Sequence, residues 1–205
     1  MFEKILKELK NHIPFTALGA LGGILLILIF YNLPFKLSYR IFYISHPLHV
    51  LLSAQVTTAM YKSYKGKSKM ISLLLIGYFG SVGIGTLSDS VIPYLGEIIL
   101  NLPEREIHLG FIEEWQIVNL LALIGISIGC LWPKTKFPHT GHVLISTCAS
   151  LFHIIMALGG KIDLNLFFTF TIFVFLFIAV WIPCCFSDIV FPLLFVKSEQ
   201  KGGVR

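Results

Sequence analysis

The chain has 205 residues, of which 56% are hydrophobic and 13% are charged, about half the charged fraction of a soluble globular domain. This composition excludes a water-soluble protein, a disordered chain and a disulfide-stapled secreted domain. The net charge of +5 comes from short basic clusters between apolar runs, which excludes a nucleic-acid binder and indicates a membrane protein with a basic cytoplasmic face.

Six stretches of the chain are long and apolar enough to cross a bilayer, which takes about 20 residues of helix. We therefore expect an all-α polytopic membrane protein. The first stretch is too long for a signal peptide and is expected to stay as an anchor. The predicted spans are Ile13–Leu33, Ile44–Tyr61, Met70–Leu87, Trp115–Trp132, His142–Leu158 and Leu164–Phe186.

Two shorter apolar segments follow the third and sixth spans. Val91–Leu102 and Val190–Val196 each begin near an aspartate and contain a proline. We expect short helices that lie at the membrane interface or re-enter it, with Asp89 and Asp188 as alternative helix caps.

The basic residues predict the orientation of the chain. Twelve of the sixteen Lys and Arg residues lie before the first span, after the second, after the fourth and after the sixth. Six crossings put these segments and both termini on one side, which the positive-inside rule assigns to the cytoplasm. Residues 1–205 are then a single membrane domain with a cytoplasmic tail at 198–205, and the location is a prokaryotic cytoplasmic membrane crossed several times.

The opposite side of the membrane is predicted to be acidic. Its loops and span ends carry seven Asp and Glu residues against four Lys and Arg residues. Such a mouth attracts cations and repels anions, although ordinary loop solvation accounts for the charges equally well.

Two sequence patterns occur twice in the same order. HxxHVLxS begins at His46 and again at His139, and SDxVxPxL begins at Ser88 and again at Ser187. Recurrence by composition explains the VLxS part, because these residues are common in spans. It does not explain histidines and aspartates in register, because such residues are rare at membrane depth.

A third match extends the repeat to the whole chain. HxxF begins at His12 and again at His108, and the three patterns recur at offsets of 93, 99 and 96 residues. We interpret 10–102 and 106–197 as two three-helix repeats. Because three is odd, the second repeat enters the membrane from the opposite side, which makes an inverted-topology repeat.

Each HxxH pair begins a polar stripe, because residues three or four apart share one face of a helix. Lipid disfavours such stripes, so both are expected to face the interior and each other. The stripes consist of His46, His49, Ser53, Thr57 and Met60 on the second span, and His139, His142, Ser146, Ser150 and His153 on the fifth.

Imidazole with carboxylate suits Zn²⁺, Mn²⁺, Fe²⁺, Co²⁺ or Ni²⁺, and an i,i+3 histidine pair can present two nitrogens to one ion. Chain direction divides the candidate ligands into one set near each membrane face. The outer set is His46, His49, Asp89, His108 and His153, and the inner set is His12, His139, His142 and Asp188, with Met60 as a softer donor. Hydrogen bonding or a proton relay are the alternative roles of the histidines.

The predicted pathway joins the two sets. Its hydroxyl groups are too weak to hold an ion, and bonding back to their own helix is the alternative for each of them. The four cysteines have no metal-binding spacing and are interpreted as small buried residues. The pathway residues are Ser53, Thr57, Met60, Ser146 and Ser150, with Glu113 and Glu114 at the acidic mouth.

These features favour a small transporter or permease for a divalent transition-metal cation, with protons as the coupling ion. The expected partners are the lipid bilayer, the cation and protons, without nucleic acid, and a homo-oligomer stays open. One alternative is a membrane-embedded metal-dependent enzyme acting on a lipid or isoprenoid. Another is an accessory membrane subunit whose polar stripes only pack.

Overall fold

The computed structural model describes residues 2–30, 32–66, 68–133, 136–159 and 165–196. These residues form helices and contain no strand, so the all-α prediction is confirmed. In chain order the helices are α1 (Phe2–Phe30), α2 (Phe35–Lys65), α3 (Met70–Ile99), α4 (Gly110–Glu113), α5 (Trp115–Leu131), α6 (Lys136–Leu158) and α7 (Leu166–Leu194).

Three helices of the described chain are long and apolar enough to cross a membrane. They are α3, the Gly141–Leu158 part of α6, and α7. Thr16–Phe30 of α1 and the whole of α5 are apolar but shorter. The helix α2 is long enough but carries histidine, serine and threonine side chains through its middle. The fold is therefore that of a helical, membrane-associated protein.

The polar side chains of the bundle lie inside it and many of its large apolar side chains lie outside. Ser53, Thr57 and Thr58 of α2 are fully or almost fully buried. Leu166 and Phe167 at the start of α7 are 88% and 80% exposed. This distribution is the reverse of that in a soluble protein and suits a lipid environment.

The helix α2 is the central element of the bundle. It packs along α5 and α6 and also contacts α3 and the end of α7. Glycines permit the close approach of α5, because a Cβ added at Gly125 or Gly129 would collide with the backbone oxygen of Leu51 or Gln55. The polar stripe of α2 is therefore surrounded by protein.

Both SDxVxPxL motifs lie within continuous helices that widen locally into π-helical turns. The turns are Leu87–Val91 in α3 and Phe186–Val190 in α7. Pro93 and Pro192 follow directly and lack the N–H that a regular helix would use, so the wider turn rearranges the backbone hydrogen bonds there. The prediction of separate short helices after the third and sixth spans is therefore wrong, because α3 and α7 continue through these segments. Neither aspartate caps a helix.

Candidate metal centre

The HxxH pair of the first half lies near the middle of its helix. The helix α2 starts at Phe35 instead of at Ile44, where the second span was predicted to begin. The additional turns are amphipathic and bury Phe42 in the core. His46 and His49 consequently lie deep in the bundle instead of at the end of the helix.

Asp89 of α3 is fully buried and contacts both histidines of α2. Its Oδ2 lies 3.0 Å from Nδ1 of His46 and 2.6 Å from Nδ1 of His49. Its Oδ1 accepts a hydrogen bond of 2.9 Å from the hydroxyl of Ser146 on α6. Side chains of α2 and α6 thus satisfy both oxygens of this buried carboxylate.

Asp188 of α7 is also fully buried and has corresponding contacts. Its Oδ2 lies 2.8 Å from Nδ1 of His142 on α6. Its Oδ1 accepts hydrogen bonds of 3.4 Å from the hydroxyls of Ser53 and Thr57 on α2. Each aspartate therefore joins a histidine of one stripe to a hydroxyl of the other stripe.

The serine before each aspartate repeats this correspondence. Ser150 donates a hydrogen bond of 3.1 Å to the Ser88 carbonyl, and Thr57 donates one of 3.2 Å to the Ser187 carbonyl. Each of these serines also pairs with the serine of the opposite HxxHVLxS motif: Ser88 with Ser146 at 2.8 Å, and Ser187 with Ser53 at 3.0 Å. The two halves of the chain make equivalent contacts around their aspartates.

The two clusters adjoin at the centre of the bundle. The rings of His49 and His142 stack with their centroids 5.0 Å apart and their planes at 22°. The Sγ atom of Cys184, on α7, lies 3.9 Å from Nε2 of His49. The sequence predicted one set of ligands near each membrane face, whereas the structure brings one histidine of each set together.

His49, His142 and Cys184 form a group that could hold a metal ion. All three are buried, and one potential ligand atom from each lies within 4.8 Å of the others. Each imidazole turns Nδ1 toward an aspartate, and carboxylates orient metal-binding histidines in this way. Among the described residues, this group has the nitrogen and sulfur donors that Zn²⁺ prefers.

The remaining predicted ligands lie elsewhere. His46 contacts Asp89, but it is not a member of the three-residue group. His108 lies beside Glu113, and His153 lies beside Glu97. These four residues form a separate cluster near the loop between α3 and α5. The side chains of the other two predicted ligands, His12 and His139, lie outside the described part of the structure.

The predicted pathway residues have different surroundings. The hydroxyls of Ser53, Thr57, Ser146 and Ser150 bond across helices to the aspartates and to the serines before them. Met60 and Glu114 are partly buried, and Glu114 directly precedes α5. Glu113 accepts a hydrogen bond from the hydroxyl of Tyr43.

Cys184 is the member of the group that sequence reasoning missed. It lies one helical turn before Asp188, and that spacing is the available signal, because it puts the two side chains on one face of α7. The repeat offset makes Gly85 its counterpart, and a Cβ at Gly85 would also lie beside His49, 3.7 Å from Cε1. The sulfur therefore comes from the second half only.

No protein-family model, curated protein or solved structure matches this chain. Its class follows from its own fold and site. The chain is a helical protein with three candidate membrane-spanning helices and a buried histidine–cysteine group that could bind a metal ion.

Proposed function

We propose that this protein is a small permease for a divalent transition-metal cation, and that the ion passes through the group formed by His49, His142 and Cys184. One observation carries the proposal. Two clusters with equivalent contacts meet at this group in the core of a bundle whose surface is apolar. A metal-storage or purely structural role has no need of two matched clusters.

An inverted repeat accounts for the meeting of the two clusters. Phe42 contacts His153, and His49 contacts His142, so α2 and α6 run antiparallel. His49 and His142 are equivalent under the 93-residue offset, so a two-fold axis in the membrane plane would pass between their rings. Transporters with inverted repeats bind their substrates at such an axis, near the middle of the bilayer.

The repeat also requires six crossings, by α1, α2, α3, α5, α6 and α7. The polarity of α2 supports this topology, because a helix covered by α5 and α6 needs no apolar surface of its own. Exchange of conformation between the halves would open the same central group first to one side and then to the other.

The donor set favours Zn²⁺ among the candidate metals. Two imidazoles and one thiolate are typical ligands of Zn²⁺, whereas Mn²⁺ prefers oxygen ligands. Asp89 and Asp188 would orient the imidazoles and balance the charge of the cation in a buried site. Histidine and cysteine must release protons to bind metal, so protons are the natural coupling ion.

Zinc binding and zinc flux test this proposal. We expect the purified protein to bind one Zn²⁺ per chain and to carry Zn²⁺ into liposomes containing a zinc-sensitive dye. His49→Ala and His142→Ala should each abolish both, while Glu106→Gln, on the exposed loop after α3, should abolish neither. Absence of Zn²⁺ binding, or binding without flux in the wild-type protein, would overturn the proposal.

The asymmetry at Cys184 favours a second candidate function. An enzyme needs one complete centre with an open coordination position, and only the second half contributes a sulfur ligand. The candidate is a metal-dependent enzyme acting on a lipid or isoprenoid. Metal binding without flux in the experiment above is the outcome that would favour it.

A further inference from the structure

A second buried polar cluster lies beside the loop between α3 and α5. Glu97 of α3 is 1% exposed, and its Oε1 lies 2.6 Å from Nδ1 of His153 on α6. Nε2 of His153 accepts a hydrogen bond of 3.4 Å from the backbone N–H of His108. Because Nε2 accepts, the ring proton is on Nδ1 and is donated to Glu97.

The cluster reaches the surface through ionisable side chains. Nδ1 of His108 lies 3.6 Å from Oε2 of Glu113, and the Glu113 side chain is 34% exposed. The other oxygen of Glu113 accepts a hydrogen bond of 2.8 Å from the backbone N–H of Leu109. Glu113, His108, His153 and Glu97 thus form a series from the surface to a buried carboxylate.

Among the described residues, the side chains around this series supply no buried cation. From α2, Tyr39 and Tyr43 contact His108, and the Phe42 ring separates His46 from His153. The nearby loop contributes Glu104, Arg105 and Glu106, all exposed, and Lys36 and Arg40 of α2 are exposed as well. The stretch of α7 from Leu166 to Ile182 contains no ionisable residue.

Glu97 has an unusual environment for a carboxylate. Among the described residues its ion-pair partner is His153, and Oε2 is buried without a hydrogen-bond donor. A buried charge without full compensation is costly, and protonation removes the charge. Glu97 is therefore a buried carboxylate with one oxygen that receives no hydrogen bond.

We propose that Glu97 and His153 bind the proton that drives the permease, a step that rests on the proposed function. A proton from water would reach His153 by way of Glu113 and His108, whose ring centroid lies 5.6 Å from that of His153. Nε2 of His153 would take up this proton while Nδ1 gives its own proton to Oε1 of Glu97, and the reverse steps would release it. The repeat offsets align Glu97 with Val196 and His153 with Met60. The opposite half has no equivalent pair, so this proton exchange is confined to the side of the α3–α5 loop.

Infrared spectroscopy tests the proton site without reference to transport. We expect pH-difference spectra of the wild-type protein in lipid to contain the C=O band of a buried carboxylic acid. Glu97→Gln should remove this band and Glu106→Gln should retain it. A band that survives in a folded Glu97→Gln protein would overturn the inference. If that variant does not fold, His153→Gln must shift the band, and an unshifted band would overturn it equally.

Flux measurements separate this inference from the proposed function. In proteoliposomes, a pH gradient should accelerate Zn²⁺ flux by the wild-type protein and by Glu106→Gln, and should have no effect on Glu97→Gln. Zn²⁺ affinity should be the same in all three proteins. Absence of flux in the wild type would contradict the permease and leave the infrared result to decide the proton site. A loss of Zn²⁺ affinity in Glu97→Gln as large as that in His49→Ala would assign Glu97 to the metal centre and overturn the inference.

Discussion

Two aspartates buried in one apolar bundle require compensation, because a buried ion without a partner costs several kcal/mol. Asp89 faces two imidazoles and a hydroxyl, and Asp188 faces one described imidazole and two hydroxyls. A divalent cation bound by His49, His142 and Cys184 would offset both carboxylates at once. The charge balance of the core therefore agrees with the donor chemistry of its ligands.

Replacing either aspartate by asparagine tests this role. Asp89→Asn and Asp188→Asn keep the size of the side chain but remove the charge that orients and polarises a histidine. We expect each to lower Zn²⁺ affinity by about 10–100-fold, the usual effect of losing such a partner. Competition with a chelating dye measures the affinity, with Glu106→Gln as the control. An affinity within about twofold of wild type in either variant would contradict the matched roles of the two carboxylates.

The sulfur ligand can be tested separately from the histidines. Co²⁺ bound in place of Zn²⁺ should give the near-ultraviolet charge-transfer absorption of a thiolate ligand, because Cys184 lies against His49. Cys184→Ser should eliminate that absorption. Cys185→Ser, at the adjacent buried position, should retain it. Equal spectra from the two variants would exclude Cys184 from the centre.

The candidate site was partly predictable from the sequence. The aspartates, most of the hydroxyls and most of the histidines belong to the two repeated motifs, and their periodicity indicated an interior face. Cys184 has no such motif, because its role depends on where α7 crosses α2. Glu97 was equally hidden, since it lies in an apolar segment and is paired with His153, 56 residues away in sequence.

At the scale of helices, the apolar runs predicted that each long helix exists but not where it begins and ends. The second span was predicted to begin at Ile44, yet α2 begins at Phe35 because the additional turns bury Phe42. Pro93 and Pro192 were expected to lie in separate short helices. Instead α3 and α7 continue through both prolines, because π-helical turns before them change the backbone hydrogen-bond pattern. Local signals are ambiguous wherever tertiary contacts decide between continuation and termination.

The contact between α2 and α5 gives a prediction for stability. Gly125→Ala would direct a methyl group at the Leu51 carbonyl, and rigid backbone cannot move aside. We expect a loss of about 1–3 kcal/mol in the free energy of unfolding, as for other overpacked sites. Gly22→Ala on α1 is the matched control, because no atom lies within 4 Å of its added Cβ. Chemical denaturation in detergent measures both, and equal stabilities would contradict this packing.

At the scale of the whole molecule, the arrangement of polarity determines how the helices lie relative to the membrane. α3, α6 and α7 have enough apolar length by themselves. α2 owes its place to the helices around it, and its buried hydroxyls bond to groups on α7. A surface position for α2 would separate Ser53 and Thr57 from Asp188 and expose the central group.

A chain that crosses the membrane six times and a chain that crosses it three times differ in which residues face the outside of the cell. With six crossings, cysteines introduced as Asn32→Cys and Glu106→Cys in a background without native cysteines should react with an impermeant maleimide on intact cells. Ser63→Cys, at the end of α2, and Pro133→Cys, after α5, should react only after permeabilisation, because the positive-inside rule assigns both positions to the cytoplasm. If only α3, α6 and α7 crossed, Asn32→Cys would label like Ser63→Cys, and Pro133→Cys like Glu106→Cys. That pattern would contradict the inverted repeat, because each half would then lack the three crossings that place His49 and His142 on a common axis.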